Sequence, residues 1–153
     1  MDTEKKYSFE ELLDTNGSFV WRTSGGSMLP LIRQGKDVVV ISKPDGKPRK
    51  YDVILYKVKD KYLLHRVLEI NDGYYTVAGD TNTFLEKVTD GQILGVMTQL
   101  QRGGKEYDLT SRRYRCYVKT RCGNFKLRCA FLKPARAVRS GLSRIYHKVF
   151  KKG

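Results

Sequence analysis

The apolar and polar positions of the chain fall into three successive patterns. SFEELLDT at 8–15 reads as one short helix. Ser8 can cap it, Glu11 three residues on completes a capping box, and Gly17 follows as a stop. Residues 19–22 are a short apolar lead into Ser24-Gly25-Gly26, a turn whose glycines free the backbone. From 36 to 110 helical periodicity is absent and β-type runs replace it. These are VVVIS at 38–42, DVILYKV at 52–58, YLLHRVLEI at 62–70, YYTVAG at 74–79 and QILGVMTQLQ at 92–101. Asn71-Asp72-Gly73 and Gly103-Gly104 supply turn signals, and KPDGKPRK at 43–50 is a polar loop. Short strands separated by turns predict a mainly β fold, a small barrel or sandwich.

The last segment differs in kind. From Pro134, which suits a first helical position, Ala135, Val138, Leu142, Ile145 and Val149 recur at spacings of three and four and predict an amphipathic helix. Residues 112–131 favour neither helix nor strand. The chain therefore divides into an N-terminal helix and lead-in (1–22), a β core (23–110) and a basic tail (111–153).

Charge sharpens that division. The 153 residues carry a formal net charge of +14, yet 16 basic and 16 acidic residues balance through residue 110. The remaining 14 Lys and Arg all lie in the last 43 residues, which contain no acid. A hydrophobic content of 40% argues for a folded core. No run approaches the roughly 18 to 20 apolar residues that span a bilayer, and MDTEKKYSFEELL has no apolar secretory region, so a cytoplasmic location is expected. Cys116, Cys122 and Cys129 are odd in number and match no zinc spacing, so they read as reduced thiols.

Three pieces of the β region carry candidate chemistry. In SGGSMLP (24–30), Ser27 follows two glycines, so its hydroxyl can stand exposed while backbone N–H groups of Gly25, Gly26 and Ser27 face an oxyanion. A Ser hydroxyl is a weak nucleophile and needs a base within reach. His65, inside the apolar strand LHRV, is neutral near pH 7 and suited to that task. Asp80, in AGDTN at 78–82, offers a carboxylate to orient the imidazole.

Taken together and in this order, SGGSM, YDVILYK, LHRVLEI and AGDTN resemble the serine peptidase superfamily of type I signal peptidases and LexA-type self-cleaving repressors. The resemblance spans roughly residues 20–100. It is closest to the Ser-His branch of archaeal and endoplasmic-reticulum signal peptidases. It implies a small signal-peptidase/LexA-like β-barrel or β-clip core, with Ser27 as nucleophile, His65 as general base and Asp80 as supporting acid. The family tends to carry a further acid after Gly-Asp-x-Asn. Glu86 and Asp90 stand in that region, which leaves open which carboxylate completes the triad. Where the family often has a Ser two residues before the nucleophile, this chain has Gly25, so the oxyanion would rest on backbone N–H groups. Lys57, Lys59 and Lys61 are alternative bases of the Ser-Lys kind. Met28, Leu29 and Pro30 would border the substrate groove. No metal or organic cofactor is implied.

The expected activity is thus endoproteolysis of a leader or signal-like segment. An inactive peptide-binding relative of the same fold and a nucleic-acid-binding protein are the alternatives. The basic tail, residues 111–153, suits the anionic inner face of a membrane, where it would hold the chain peripherally; nucleic acid is the second electrostatic partner.

Overall fold

The computed structural model describes residues 7–123, together with 125, 129 and 130. The expected amphipathic helix beyond Pro134 lies outside the described residues.

Helix α1 (Phe9–Asn16) begins and ends where the sequence places its signals. Ser8 and Glu11 form a reciprocal capping box, and Gly17 closes the helix in the left-handed region at φ 70°. Seven of the eight strands follow: β1 (Ser18–Trp21), β2 (Val38–Ser42), β3 (Val53–Val58), β4 (Lys61–Asn71), β5 (Tyr74–Ala78), β6 (Glu86–Val88) and β7 (Ile93–Arg102). They form an antiparallel sheet in the order β1-β2-β7-β3-β4-β5-β6, and the two-residue β8 (Lys105–Glu106) pairs with β7. A short 3-10 turn, Asp90–Gln92, leads into β7. The mainly β prediction matches this architecture. Closure does not: among the described residues β1 and β6 end the sheet without pairing to one another.

Two further readings need correction. The lead-in at 19–22 belongs to the sheet, since Ser18–Trp21 pair with Val39–Ser42. The ambiguous stretch after 111 begins with helix α2 (Arg112–Cys122), capped by Ser111, and this first part of the basic tail packs on the β core.

Alternation along β3 and β4 sends side chains to two cores. Ile54, Tyr56 and Val67 join Tyr75, Val77 and Val88 on one face. Val53, Leu55 and Leu64 join Met28, Leu31, Ile32, Val39, Ile41 and Leu100 on the other. A register shift between Val67 and Glu69 inserts Leu68 as a bulged residue, and Leu68 turns toward Val118 and Cys122 of α2. The helix that opens the basic segment is therefore seated by apolar burial.

Candidate active site

His65 sits in the middle of β4, opposite Ile54 of β3. Its imidazole is almost wholly buried, which is costly for a charged ring and demands partners for a neutral one. Nδ1 lies 2.7 Å from Glu86 Oε2 and 2.7 Å from the Tyr56 hydroxyl, and Tyr56 also donates to Glu86 Oε2. A carboxylate only accepts, so Nδ1–H and the tyrosine O–H both point at Glu86. That arrangement selects the tautomer whose Nε2 carries the lone pair. Burial lowers the His65 pKa below its ordinary value, against an upward pull from the Glu86 carboxylate. The ring is accordingly neutral at pH 7, as a general base must be. Burial and the same carboxylate raise the Tyr56 pKa, so this phenol stays a donor.

Sheet topology explains why Glu86 arrives there. It opens β6, pairs with Val77 of β5, and reaches across β5 to the ring on β4. Asp80, the acid favoured by sequence, does other work. Its two oxygens take Arg66 Nε at 2.9 Å and Nη2 at 2.8 Å, and Tyr117 of α2 donates to Oδ2 at 2.7 Å. Arg66 Nη1 further donates to the Tyr51 carbonyl and the Tyr114 hydroxyl, each at 3.0 Å. Of the carboxylates left open by the sequence, Glu86 is the one bonded to His65 Nδ1, while Asp80, in the turn past β5, is paired with Arg66 and acts on the imidazole through its charge alone. Asp90 is also elsewhere, accepting from the Tyr75 hydroxyl at 2.8 Å.

Gly79 follows Ala78, the last residue of β5, which opposes Arg66. Gly79 has no β-carbon, and one built there would lie 2.9 Å from Ser27 Cβ and 2.7 Å from its carbonyl oxygen. Ser27 therefore occupies the space that a side chain at position 79 would need. Thr81 fixes it: its N–H and its hydroxyl reach the Ser27 carbonyl at 2.9 and 3.0 Å, and the hydroxyl reaches the Gly26 carbonyl at 3.1 Å. Among the described residues no hydrogen bond joins Ser27 Oγ to His65. Nor do the Ser27 and Met28 N–H groups donate to another backbone group there, whereas Leu29 N–H is taken by the Gly26 carbonyl.

A cavity of about 200 Å³ adjoins Ser27, lined by Trp21, Thr23, Gly25, Met28, Tyr62 and Leu64 among others. It runs along one edge of β4. Residues 61–65 of that strand pair with β3, whereas pairing to β5 starts only at Arg66. Half of β4 therefore presents an open edge toward the Ser24–Met28 segment. Thr23 Oγ1, buried beside this cavity, has no hydrogen-bond partner among the described residues. Of the expected groove residues, Met28 lines the cavity from the core side, while Leu29 and Pro30 are exposed and do not line it. Gly25 and Gly26 are not among the glycines with positive φ.

Lys57, the first of the alternative lysines, is ion-paired and held charged. Glu10 of α1 binds its ammonium at 2.6 Å and raises its pKa, and Tyr62 shares the same carboxylate at 2.7 Å. Lys59 and Lys61 are exposed. No group of three or more His, Cys, Asp or Glu gathers to hold a metal among the described residues.

Sequence reasoning passed over Tyr56, Arg66 and Tyr117. A signal existed for the first two: Tyr56 follows Ile54 by two on one strand, and Arg66 neighbours His65 in a motif paired with Gly-Asp-x-Asn. No protein family, curated protein or solved structure matches the chain.

Proposed function

We propose that this protein is a serine endopeptidase with a signal-peptidase/LexA-like β core, in which Ser27 is the nucleophile, His65 the general base and Glu86 the acid that orients it. The observation that carries the reading is the His65–Glu86–Tyr56 cluster. It holds a neutral imidazole by Nδ1, leaving Nε2 as the acceptor, and Ser27 is seated in the space that Gly79 leaves open just past the end of β5.

The chemistry is acyl transfer. Ser27 Oγ attacks the carbonyl carbon of an extended peptide laid along the open edge of β4. The hydroxyl proton passes to His65 Nε2, and the imidazolium is stabilised by Glu86. Ser27 and Met28 N–H groups receive the oxyanion. His65 then gives its proton to the departing amine, leaving an ester on Ser27. Water, deprotonated by the same Nε2, hydrolyses that ester and returns the enzyme. The gap between Ser27 and His65 closes on substrate binding, as catalytic hydrogen bonds commonly do. The resemblance to signal peptidases adds a preference for small residues before the cut.

The basic segment supports a second element of the proposal, docking on an anionic membrane surface through residues 111–153. The exposed cations of α2 and the acid-free composition beyond Asp108 favour it. The full chain should float with vesicles containing phosphatidylglycerol, fail to float with phosphatidylcholine alone, and be released by high salt.

The enzymatic test uses a fluorophosphonate probe and a leader-type peptide. Wild type should be labelled and Ser27→Ala should not. Trp21, the single tryptophan, lines the cavity and reports peptide binding by its fluorescence. If wild type binds peptide with a Trp21 response but neither hydrolyses it nor accepts the probe, the protein is a binding module and the peptidase assignment fails.

A further inference from the structure

We infer that Tyr117 is a positioning residue for Ser27, so that helix α2 acts as a strut behind the nucleophile. The inference rests on the peptidase reading for its kinetic consequence, and its physical content stands on the hydrogen bonds alone.

The connection runs through three bonded links. Tyr117, on α2, donates to Asp80 Oδ2 at 2.7 Å. Asp80 is held on both oxygens by Arg66, whose Nη1 in turn binds Tyr114 of the same helix. The residue after Asp80 is Thr81, whose N–H and hydroxyl grip the Ser27 carbonyl. The two tyrosine rings stack with centroids 6.4 Å apart, and the Arg66 guanidinium lies 5.8 and 6.0 Å from them. An Asp bonded on both oxygens from two directions cannot rotate about its side-chain torsions. The Gly79–Asn82 turn that carries it is then fixed in tilt, and with it the backbone of Ser27. The helix is independently seated by Val118 and Cys122 against Leu68 and Ala78. Removing one phenolic oxygen therefore leaves the strut in place and severs its grip on the turn.

A purely structural Tyr117 would affect stability alone. A positioning Tyr117 affects the geometry of attack, where displacements near 1 Å cost about a hundredfold in rate. In full-length Tyr117→Phe, fluorophosphonate labelling of Ser27 should slow about tenfold, while peptide affinity read from Trp21 stays within twofold. The Thr81 amide should exchange with deuterium about tenfold faster than in wild type. Tyr114→Phe, which loosens the other end of Arg66, should move both readouts in the same direction and decides the matter if Tyr117→Phe does not fold. Labelling and Thr81 exchange both within twofold of wild type would overturn the inference while leaving the peptidase intact. If wild type itself is never labelled, the peptidase reading fails, and the Thr81 amide still tells whether α2 holds the turn.

Discussion

Glu86 Oε2 lies 2.7 Å from His65 Nδ1, although the two residues sit on strands separated by β5. The contact gives the imidazole a fixed tautomer and a counter-charge for its protonated form. The Gly-Asp-Thr-Asn turn instead contacts the Ser27 segment and Arg66. Gly79 makes room for Ser27, Thr81 binds its carbonyl, and Asp80 anchors the turn to Arg66. The His65 imidazole and the turn that holds Ser27 are thus anchored by two different carboxylates.

Replacing Glu86 by Gln keeps the shape and lets an amide N–H oppose Nδ1, which favours the wrong tautomer. Labelling of Ser27 and peptide hydrolysis should fall by about three to four orders of magnitude, the scale of a lost triad acid. Because Glu86 is partly exposed, its thermal midpoint should change little. A Glu86→Gln enzyme within tenfold of wild type would remove Glu86 from the mechanism.

Asp80 should behave oppositely in the first instance. Asp80→Ala leaves the Arg66 guanidinium buried without its carboxylate, and breaking one partner of such a pair costs about 3–5 kcal/mol. Chemical denaturation should show a loss on that scale, whereas Glu86→Gln should not.

The pH dependence follows from the direction of the His65 shift. Burial holds the imidazole below its ordinary pKa of 6.5, despite Glu86. Activity should rise as pH increases through the His65 titration, with a midpoint below 6.5, and then level off. The stability effect has the same sign. Below pH 6.5 the unfolded chain binds the proton more readily than the folded one, so stability falls on acidification. His65→Gln should flatten this portion of the stability profile. An activity midpoint at or above the ordinary imidazole value would contradict a buried neutral base.

What the sequence made legible was local. The capping box of α1, the β-branched run of β2 and the turn-bounded strands β3, β4, β5 and β7 follow from short-range preferences. The turn at Ser24–Ser27 and the strand that carries His65 were also legible, because glycine flanks and an apolar setting mark them without reference to the rest of the fold. Which of Asp80, Glu86 and Asp90 bonds to the His65 ring was not. It depends on which face of a paired strand each residue meets, and one step of register exchanges the faces. The role of α2 was hidden for a related reason. Its sequence, RRYRCYVKTRC, is dominated by charge, and only the bulge at Leu68 and the buried Arg66–Asp80 pair reveal what Val118 and Tyr117 contact.

Two glycines offer a matched comparison. A β-carbon at Gly79 would meet the Ser27 carbonyl oxygen at 2.7 Å, Ser27 Cβ at 2.9 Å and Asn82 Nδ2 at 2.9 Å. One at Gly95 would meet Ile41 Cγ2 at 2.5 Å and the Ser42 carbonyl at 3.0 Å, in the other core. Both substitutions overpack, so Gly79→Ala and Gly95→Ala should each lose about 1–3 kcal/mol in denaturation. Their kinetics should part. Gly95→Ala strains β2 against β7 and leaves the His65 neighbourhood untouched, so its labelling rate should equal that of wild type. Gly79→Ala must displace Ser27, and a displacement near 1 Å predicts about a hundredfold loss. Equal labelling of the two variants would mean that the void at Gly79 serves packing alone, and that Ser27 reaches its proton acceptor by another route.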